Sequence, residues 1–310
     1  MGTVLVLGGT GSLGTHLART LADAGEKVVV TYRRSYHVPQ LLSDIMESKV
    51  KTVRCDVMAL PDLSRAIRDH GVDSIIHAVN SMPHNDDGTE YTCLQTNIMG
   101  VINTMEAAAI GSVKRVTYMS GGDMTMSSGE GEMVPIFPGS AGKKCGEILS
   151  LYYGAMYGMS VVIVRGNGHF WGTYNYDKHR PQTILRHIVE GSVTGKPVDL
   201  PNVGREEKVG LLYLGDIAAG ITLLHLAPKP QRRVYVVPGG KITSWGEIAG
   251  IVKEFVPGST INFGRSDIPD REPDPLPEVL AITSEFGFKP KYGLKGGLRE
   301  YIEWYKRGQP

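Results

Sequence analysis

The feature that narrows the fold most is the run "TVLVLGGTGSLGTHLARTLADAG" near the N-terminus. "TVLVL" is a short apolar stretch rich in β-branched residues, the pattern of a strand buried on both faces. It breaks into glycines, after which Leu13, Leu17 and Leu21 recur at helical spacing until Gly25 stops the helix. Gly8, Gly11 and Gly14 fall between the two elements as G-x-x-G-x-x-G. A turn without Cβ atoms lets backbone N–H groups at a helix N-terminus approach a pyrophosphate. The flanking strand and helix supply the context that a bare glycine pattern lacks. A dinucleotide cradle is therefore expected, with Ser12 and Leu13 inside it; no Gly-Lys-Ser/Thr follows, which excludes a P-loop.

Similar buried-strand runs follow in "KVVVTY", "KTVRCDV", "SIIHAV", "RVTYMS" and "SVVIVR", with helical stretches such as "LPDLSRAIRDHG" and "TNIMGVINTMEAAAIG" between several of them. This alternation predicts an α/β fold, a doubly wound parallel sheet covered on both faces. After Arg165 the texture changes to "GNGHFWGTYNYDKHRPQ", rich in glycine, aromatic and polar residues. The simplest partition is a nucleotide-binding domain over residues 1–165, rejoined by 209–237, and a smaller discontinuous C-terminal substrate-binding part from 166–208 and 238–310.

Charge excludes some partners. With 33 basic and 32 acidic residues the net charge is +1, so there is no global field to draw nucleic acid or an anionic membrane. A small-molecule substrate is expected instead. Cys55, Cys93 and Cys145 show no metal-ligand spacing and read as buried thiols, so neither a disulfide frame nor a metal site is expected. The N-terminus lacks a basic n-region, and no run approaches membrane-span length, which sets the expected address as cytoplasmic.

The second strand ends "VVVTYRRS". A carboxylate there would grip the ribose 2′-hydroxyl of NAD, whereas Tyr32, Arg33 and Arg34 offer guanidinium groups that match a 2′-phosphate. NADP(H) is expected as the preferred cofactor, with NAD(H) the alternative.

Together these motifs resemble the extended short-chain dehydrogenase/reductase family of NAD(P)-dependent epimerases, dehydratases and ketoreductases, nearly end to end. The fingerprint is joined by "CDV", "IIHAV", "TNIMGVINTMEAA", "VVIVRGNGHFWG", "LLYLGDIAAGI" with Asp216, and "EFGFKPKYGLKGGLREYIEWY". The resemblance implies a Rossmann fold and assigns Asp56, Val57, Ala78, Asn97 and Lys143 to the cofactor. It also implies a homodimer as a partner, because family members often pair through two helices of the nucleotide domain.

The family's Tyr-x-x-x-Lys breaks at "FPGSAGKKCGE". Lys143, with Glu147 following at the family spacing, fits the Lys position, and the Tyr position is then Gly139. A frame shifted by one leaves Ser140 before Lys144. In "YMSGGDM", Ser120 holds the strand end while the usual catalytic hydroxyl position falls near Gly122. The resemblance therefore implies an atypical enzyme whose proton donor comes from elsewhere, with His169, Tyr174 and Tyr176 as candidates beside Lys143 and Ser120. Asn80, His84, Gly122 and His169 are the candidate substrate contacts. A non-redox isomerase, lyase or cyclase, or an NADP(H)-sensing binding protein, stays open on the same residues. Nucleotide-sugar members carry an Arg before the Asp-bearing strand, but here the place is Val209, with Arg205 and Lys208 displaced. This departure points to a small non-nucleotide carbonyl or hydroxyl compound.

Overall fold

The computed structural model describes residues 2–34, 39–83, 88–121, 125–127, 133–135, 137–166, 168–175, 179–238, 242–266 and 280–308. Its elements are β1 (Thr3–Leu7), α1 (Ser12–Asp23), β2 (Lys27–Tyr32), β3 (Val50–Arg54), α2 (Leu60–His70), β4 (Ser74–His77), α3 (Glu90–Ile110) and β5 (Arg115–Gly121). The short pair β6 (Thr125–Ser127) and β7 (Met133–Pro135) precedes α4 (Pro138–Tyr157), β8 (Ser160–Gly166), β9 (His169–Trp171) and α5 (Arg180–Thr194). Then come β10 (Val198–Gly204), β11 (Lys208–Val209), β12 (Leu211–Tyr213), α6 (Leu214–Leu226), β13 (Val234–Val237), β14 (Thr243–Ser244), α7 (Trp245–Phe255), β15 (Ile261–Gly264), α8 (Leu280–Phe286) and α9 (Gly293–Lys306).

Seven strands form one sheet in the order β13-β8-β5-β4-β1-β2-β3, and every pairing in it is parallel. The strand order reverses between β1 and β4, the switch point at which sheets of this kind bind their ligands beyond the carboxyl ends of the strands. Strand β1 shows why its sequence lacks alternation. Val4 and Val6 enter the core cluster under α1 and α6, with Leu17, Leu21, Ile217 and Ile221. Leu5 and Leu7 enter the opposite cluster under α2 and α3, with Leu63, Ile67, Val101 and Met105. Both faces are dry, so the four buried positions Val4 to Leu7 are all apolar.

A third cluster unites Trp171, Ile184, Ile188, Trp245, Ile248, Leu298 and Ile302 from α5, α7, α9 and β9. Its strand pairs are short: β9 with β12, β10 with β15 and β11 with β14. Asp216, at the start of α6, ties this cluster to the main sheet. Its carboxylate accepts hydrogen bonds from the backbone N–H groups of Lys291 (2.7 Å), Tyr292 (3.0 Å) and Gly293 (3.0 Å), so it caps α9 with negative charge where the helix dipole favours it.

Among the described residues no helix is long and apolar enough to cross a membrane. Cys55 and Cys93 are buried as expected, but Cys145 is exposed. The correction has a simple cause: Cys145 shares the outer face of α4 with Ile148, Tyr152 and Met156, while Gly142, Gly146 and Ser150 turn inward.

Candidate active site

The cradle at the β1–α1 turn has the geometry the glycines require. Gly8 adopts φ +77°, in the left-handed region. A Cβ on Gly14 would collide with Gly8 O and lie 2.6 Å from Gly9 Cα, both backbone atoms that cannot move aside. The N-cap residue Gly11 has no side chain to cap α1, and the first turn carries no acidic residue. The N-terminal amides of α1, which include those of Ser12, Leu13 and Gly14, are thus left to an anionic ligand. These features fit the pyrophosphate of a nicotinamide dinucleotide.

Other expected cofactor positions line the same edge of the sheet. Tyr32 ends β2, followed by the exposed Arg33 and Arg34. Asp56 and Val57 follow β3, and the Asp56 carboxylate accepts from Met58 N at 2.9 Å. Ala78 follows β4 and its backbone packs against Gly8. Asn97, buried on α3, clamps the next loop: its Oδ1 accepts from Ser81 N at 2.8 Å and its Nδ2 donates to Ser81 O at 2.9 Å.

The clamp holds the backbone just before Met82, whose side chain lies against Gly139, the expected tyrosine position. Gly139 lies in the first turn of α4, and a Cβ added there would strike Met82 Sδ and come within 3.2 Å of Met82 Cε. Met82 is itself buried. A thioether thus fills the space next to the residue where the family's Tyr would start. Ser140, the residue of the alternative frame, spends its hydroxyl locally: it donates to Phe137 O at 2.8 Å and accepts from Phe137 N at 3.3 Å.

One turn further, Lys143 is buried and reaches the carboxyl ends of two strands. Its Nζ donates to Met119 O at 2.6 Å and to Val79 O at 3.1 Å, and lies 5.0 Å above the Tyr118 ring. Burial pulls its pKa down to about 7, only partly opposed by the negative charge of Glu147. Ser120 is buried and donates to Glu147 Oε1 at 2.5 Å. Glu147 in turn takes a two-pronged bond from Arg165, Nε to Oε1 at 2.8 Å and Nη2 to Oε2 at 2.7 Å. Burial alone would raise the Glu147 pKa, but the bonds from Arg165 and Ser120 outweigh it and hold the carboxyl below its usual range.

The structure therefore joins Ser120, Glu147 and Arg165 in one hydrogen-bonded network and sets Lys143 next to it, bonded to the carbonyl of Met119 and within reach of the Glu147 charge. Sequence reading used Glu147 only to set the frame and Arg165 only as a boundary. Their signal was two opposite charges inside apolar or small-residue surroundings, which demands pairing.

The loop after β9 packs against α1. His169 is exposed on β9, with its ring 6.4 Å from that of His179. Tyr174 holds φ +58°, unusual for a residue with a Cβ, and packs edge-on against Trp304 at 5.4 Å and His16 at 6.4 Å. His16 Nε2 meets Thr173 O at 3.0 Å, and Ser12 Oγ lies 3.5 Å from Asn175 Oδ1. This loop thus packs on the first turns of α1, over the cradle. Asn80 is exposed just beyond β4. His84, Gly122 and Tyr176 lie outside the described residues.

A family model, the NAD dependent epimerase/dehydratase family, matches residues 4–237. The chain belongs to the NAD dependent epimerase/dehydratase family. The resemblance to the extended short-chain dehydrogenase/reductase family is thereby borne out. Among solved structures, UDP-glucose 4-epimerase from Thermotoga maritima is 18% identical, covers 99% of this chain and 100% of its own, and superposes with a TM-score of 0.81. A GalE-like L-threonine dehydrogenase from Cupriavidus necator, 20% identical, covers 98% of this chain and all of its own, with a TM-score of 0.78. At these identities the likeness is one of fold. A curated relative from Arabidopsis thaliana, the trifunctional UDP-glucose 4,6-dehydratase/UDP-4-keto-6-deoxy-D-glucose 3,5-epimerase/UDP-4-keto-L-rhamnose-reductase, is 23% identical over 97% of this chain. The chain spans about half the length of that relative (47%).

Proposed function

We propose that the chain is an atypical NAD(P)-dependent oxidoreductase, epimerase or dehydratase that prefers NADP(H) and acts on a small non-nucleotide carbonyl or hydroxyl compound. The observation that carries this reading is Lys143, buried beside the dinucleotide cradle at the carboxyl end of the sheet, with Met82 packed against Gly139, the expected tyrosine position. A bound nicotinamide dinucleotide supplies hydride acceptance and return. The chain's residues do the rest: the amides of Ser12, Leu13 and Gly14 hold the pyrophosphate, Arg33 and Arg34 take the 2′-phosphate, and Lys143 faces the nicotinamide end.

Two observations support the substrate class. Val209, where nucleotide-sugar enzymes of the family place an anion-binding Arg, is buried and paired with Thr243. Arg180, another guanidinium of this region, is committed to the buried Glu207 at 2.5 Å. The GalE-like L-threonine dehydrogenase from Cupriavidus necator provides a precedent for a non-nucleotide substrate on this fold.

The proposed assembly is a homodimer. Ile148 (70% exposed), Tyr152 (57%) and Met156 (62%) stand in solvent on α4, and Tyr91 and Met99 are exposed on the neighbouring α3. An apolar patch of this kind on a soluble protein marks an interaction surface. The proposed compartment is the cytoplasm, where the free Cys55, Cys93 and Cys145 stay reduced.

The test mixes the NADPH-loaded protein with small ketones and aldehydes and, in parallel, with UDP-sugars, while recording absorbance of the reduced nicotinamide and product by mass spectrometry. Oxidation by a small carbonyl compound supports the reading. Turnover confined to UDP-sugars overturns the substrate class, and product without any nicotinamide dependence overturns the cofactor role.

A further inference from the structure

We propose that Lys143 itself, and not a hydroxyl positioned by it, exchanges the proton with the substrate oxygen. The inference rests on the proposed function above and deepens it by naming the acid–base group of the same site.

The groups around Nζ exclude one another in turn. Ser120 has its hydroxyl committed to Glu147 at 2.5 Å, and Ser140 has its own committed to the Phe137 backbone. Tyr118 on β5 lies beneath the ammonium with its ring face at 5.0 Å, and burial pushes its phenol above the usual range. His77 on β4 is buried with Nδ1 against Thr104 Oγ1 at 3.1 Å, and burial, reinforced by the Lys143 charge, drives its pKa down to about 3. Glu147 on α4 stays ionised, held by Arg165 of β8. From α3, Asn97 is bonded to Ser81, Cys93 Sγ accepts from Ser81 Oγ at 3.5 Å, and Thr104 pairs with His77. Among the described residues of this corner, Lys143 remains as the group that changes protonation near neutral pH, with its pKa brought to about 7 by burial.

The geometry suits that task. An ammonium has three N–H bonds, and the carbonyls of Met119 and Val79 take two. Neutral Nζ keeps both of these bonds and carries a lone pair in the third direction. Proton exchange therefore does not disturb the anchoring of the nitrogen. In the step itself one Nζ–H bond breaks, its electron pair stays on nitrogen, and an O–H bond forms on a substrate alkoxide: an ammonium and an alkoxide become an amine and an alcohol. The reverse step takes a hydroxyl proton onto the neutral amine. Water restores the resting protonation state.

The test follows the lysine directly. Protein labelled with ¹³C-lysine is titrated by NMR from pH 5 to pH 11, with the Lys143 Cε resonance assigned by its loss in Lys143→Arg. The expected midpoint is about 7; a midpoint near the ordinary 10.5 overturns the proposal. In parallel, calorimetry compares NADPH binding by the wild type and Lys143→Arg, which keeps the charge but cannot release a proton near neutrality. Retained binding with turnover reduced on the order of 10²-fold or more supports the proposal, and unchanged turnover overturns it. If the wild type binds neither NADPH nor NADH, the functional reading fails while the lysine midpoint still decides the titration; binding with an ordinary midpoint sinks this inference alone.

Discussion

Met82 Sδ occupies the position that a Cβ on Gly139 would need, although 57 residues separate the two in sequence. The contact makes the cost of a side chain at 139 depend on how far the flexible Met82 thioether can shift. Ala at 139 must displace a buried thioether, a small-to-large change costing about 1–3 kcal/mol before the helix-propensity gain of up to about 1 kcal/mol is counted. We expect Gly139→Ala to be neutral to destabilising alone and stabilising in a Met82→Ala background. Urea unfolding of the four proteins of this cycle should give a coupling of about 1 kcal/mol or more; additive effects would mean that the two residues do not share the space.

Glu147→Gln removes the charge that compensates Arg165. Breaking a buried pair costs about 3–5 kcal/mol because the partner is left unpaired. Arg165 retains 22% side-chain exposure, so the lower end of that range applies. Denaturant melts should show the loss, and the double variant Glu147→Leu/Arg165→Met should recover much of it. A single-variant loss below about 1 kcal/mol would contradict the role given to this pair.

Acid should destabilise the fold well above the carboxylate range. His77 and His225 are both buried, and desolvation lowers each pKa from 6.5 to about 3. His225 is bonded through both ring nitrogens, Nδ1 to Thr117 Oγ1 and Nε2 to Ser74 Oγ, each at 2.9 Å. Between pH 6.5 and pH 3 the unfolded chain takes up protons that the folded chain refuses, so stability falls as pH drops through that window. His225→Gln should be less stable at neutral pH yet show a shallower decline on acidification, as read from unfolding midpoints. An equally steep decline would remove His225 from the account.

The exposed apolar face of α4 gives an assembly prediction. Ile148→Asp or Tyr152→Asp places a charge in the proposed interface without touching either core face. Light scattering coupled to gel filtration should find the wild type at twice the chain mass and the variants at the chain mass, with unfolding midpoints of the monomer otherwise preserved. A monomeric wild type would dismiss the dimer.

Sequence alone carried the sheet and the cradle because both depend on local patterns. The β1 run, Gly8 and Gly14 each act within one strand–turn–helix unit, and Asp216 announced itself by motif. What escaped depended on tertiary juxtaposition. No periodicity links Met82 to Gly139, or Glu147 to Arg165, because strand order brings them together. The aromatic loop looked like a source of substrate contacts, yet Tyr174 packs on His16 and Trp304. Its composition could not reveal which side of the crevice it would cover.

The most direct measurement of the central claim is calorimetric titration of the apo protein with NADPH and with NADH, beside Gly14→Ala and the double variant Arg33→Ala/Arg34→Ala. The account predicts that the wild type binds both, NADPH more tightly. Gly14→Ala should lose both ligands, and the arginine variant should lose about tenfold for NADPH, about 1.4 kcal/mol, with little change for NADH. Absence of binding to either dinucleotide by a folded wild type would contradict it.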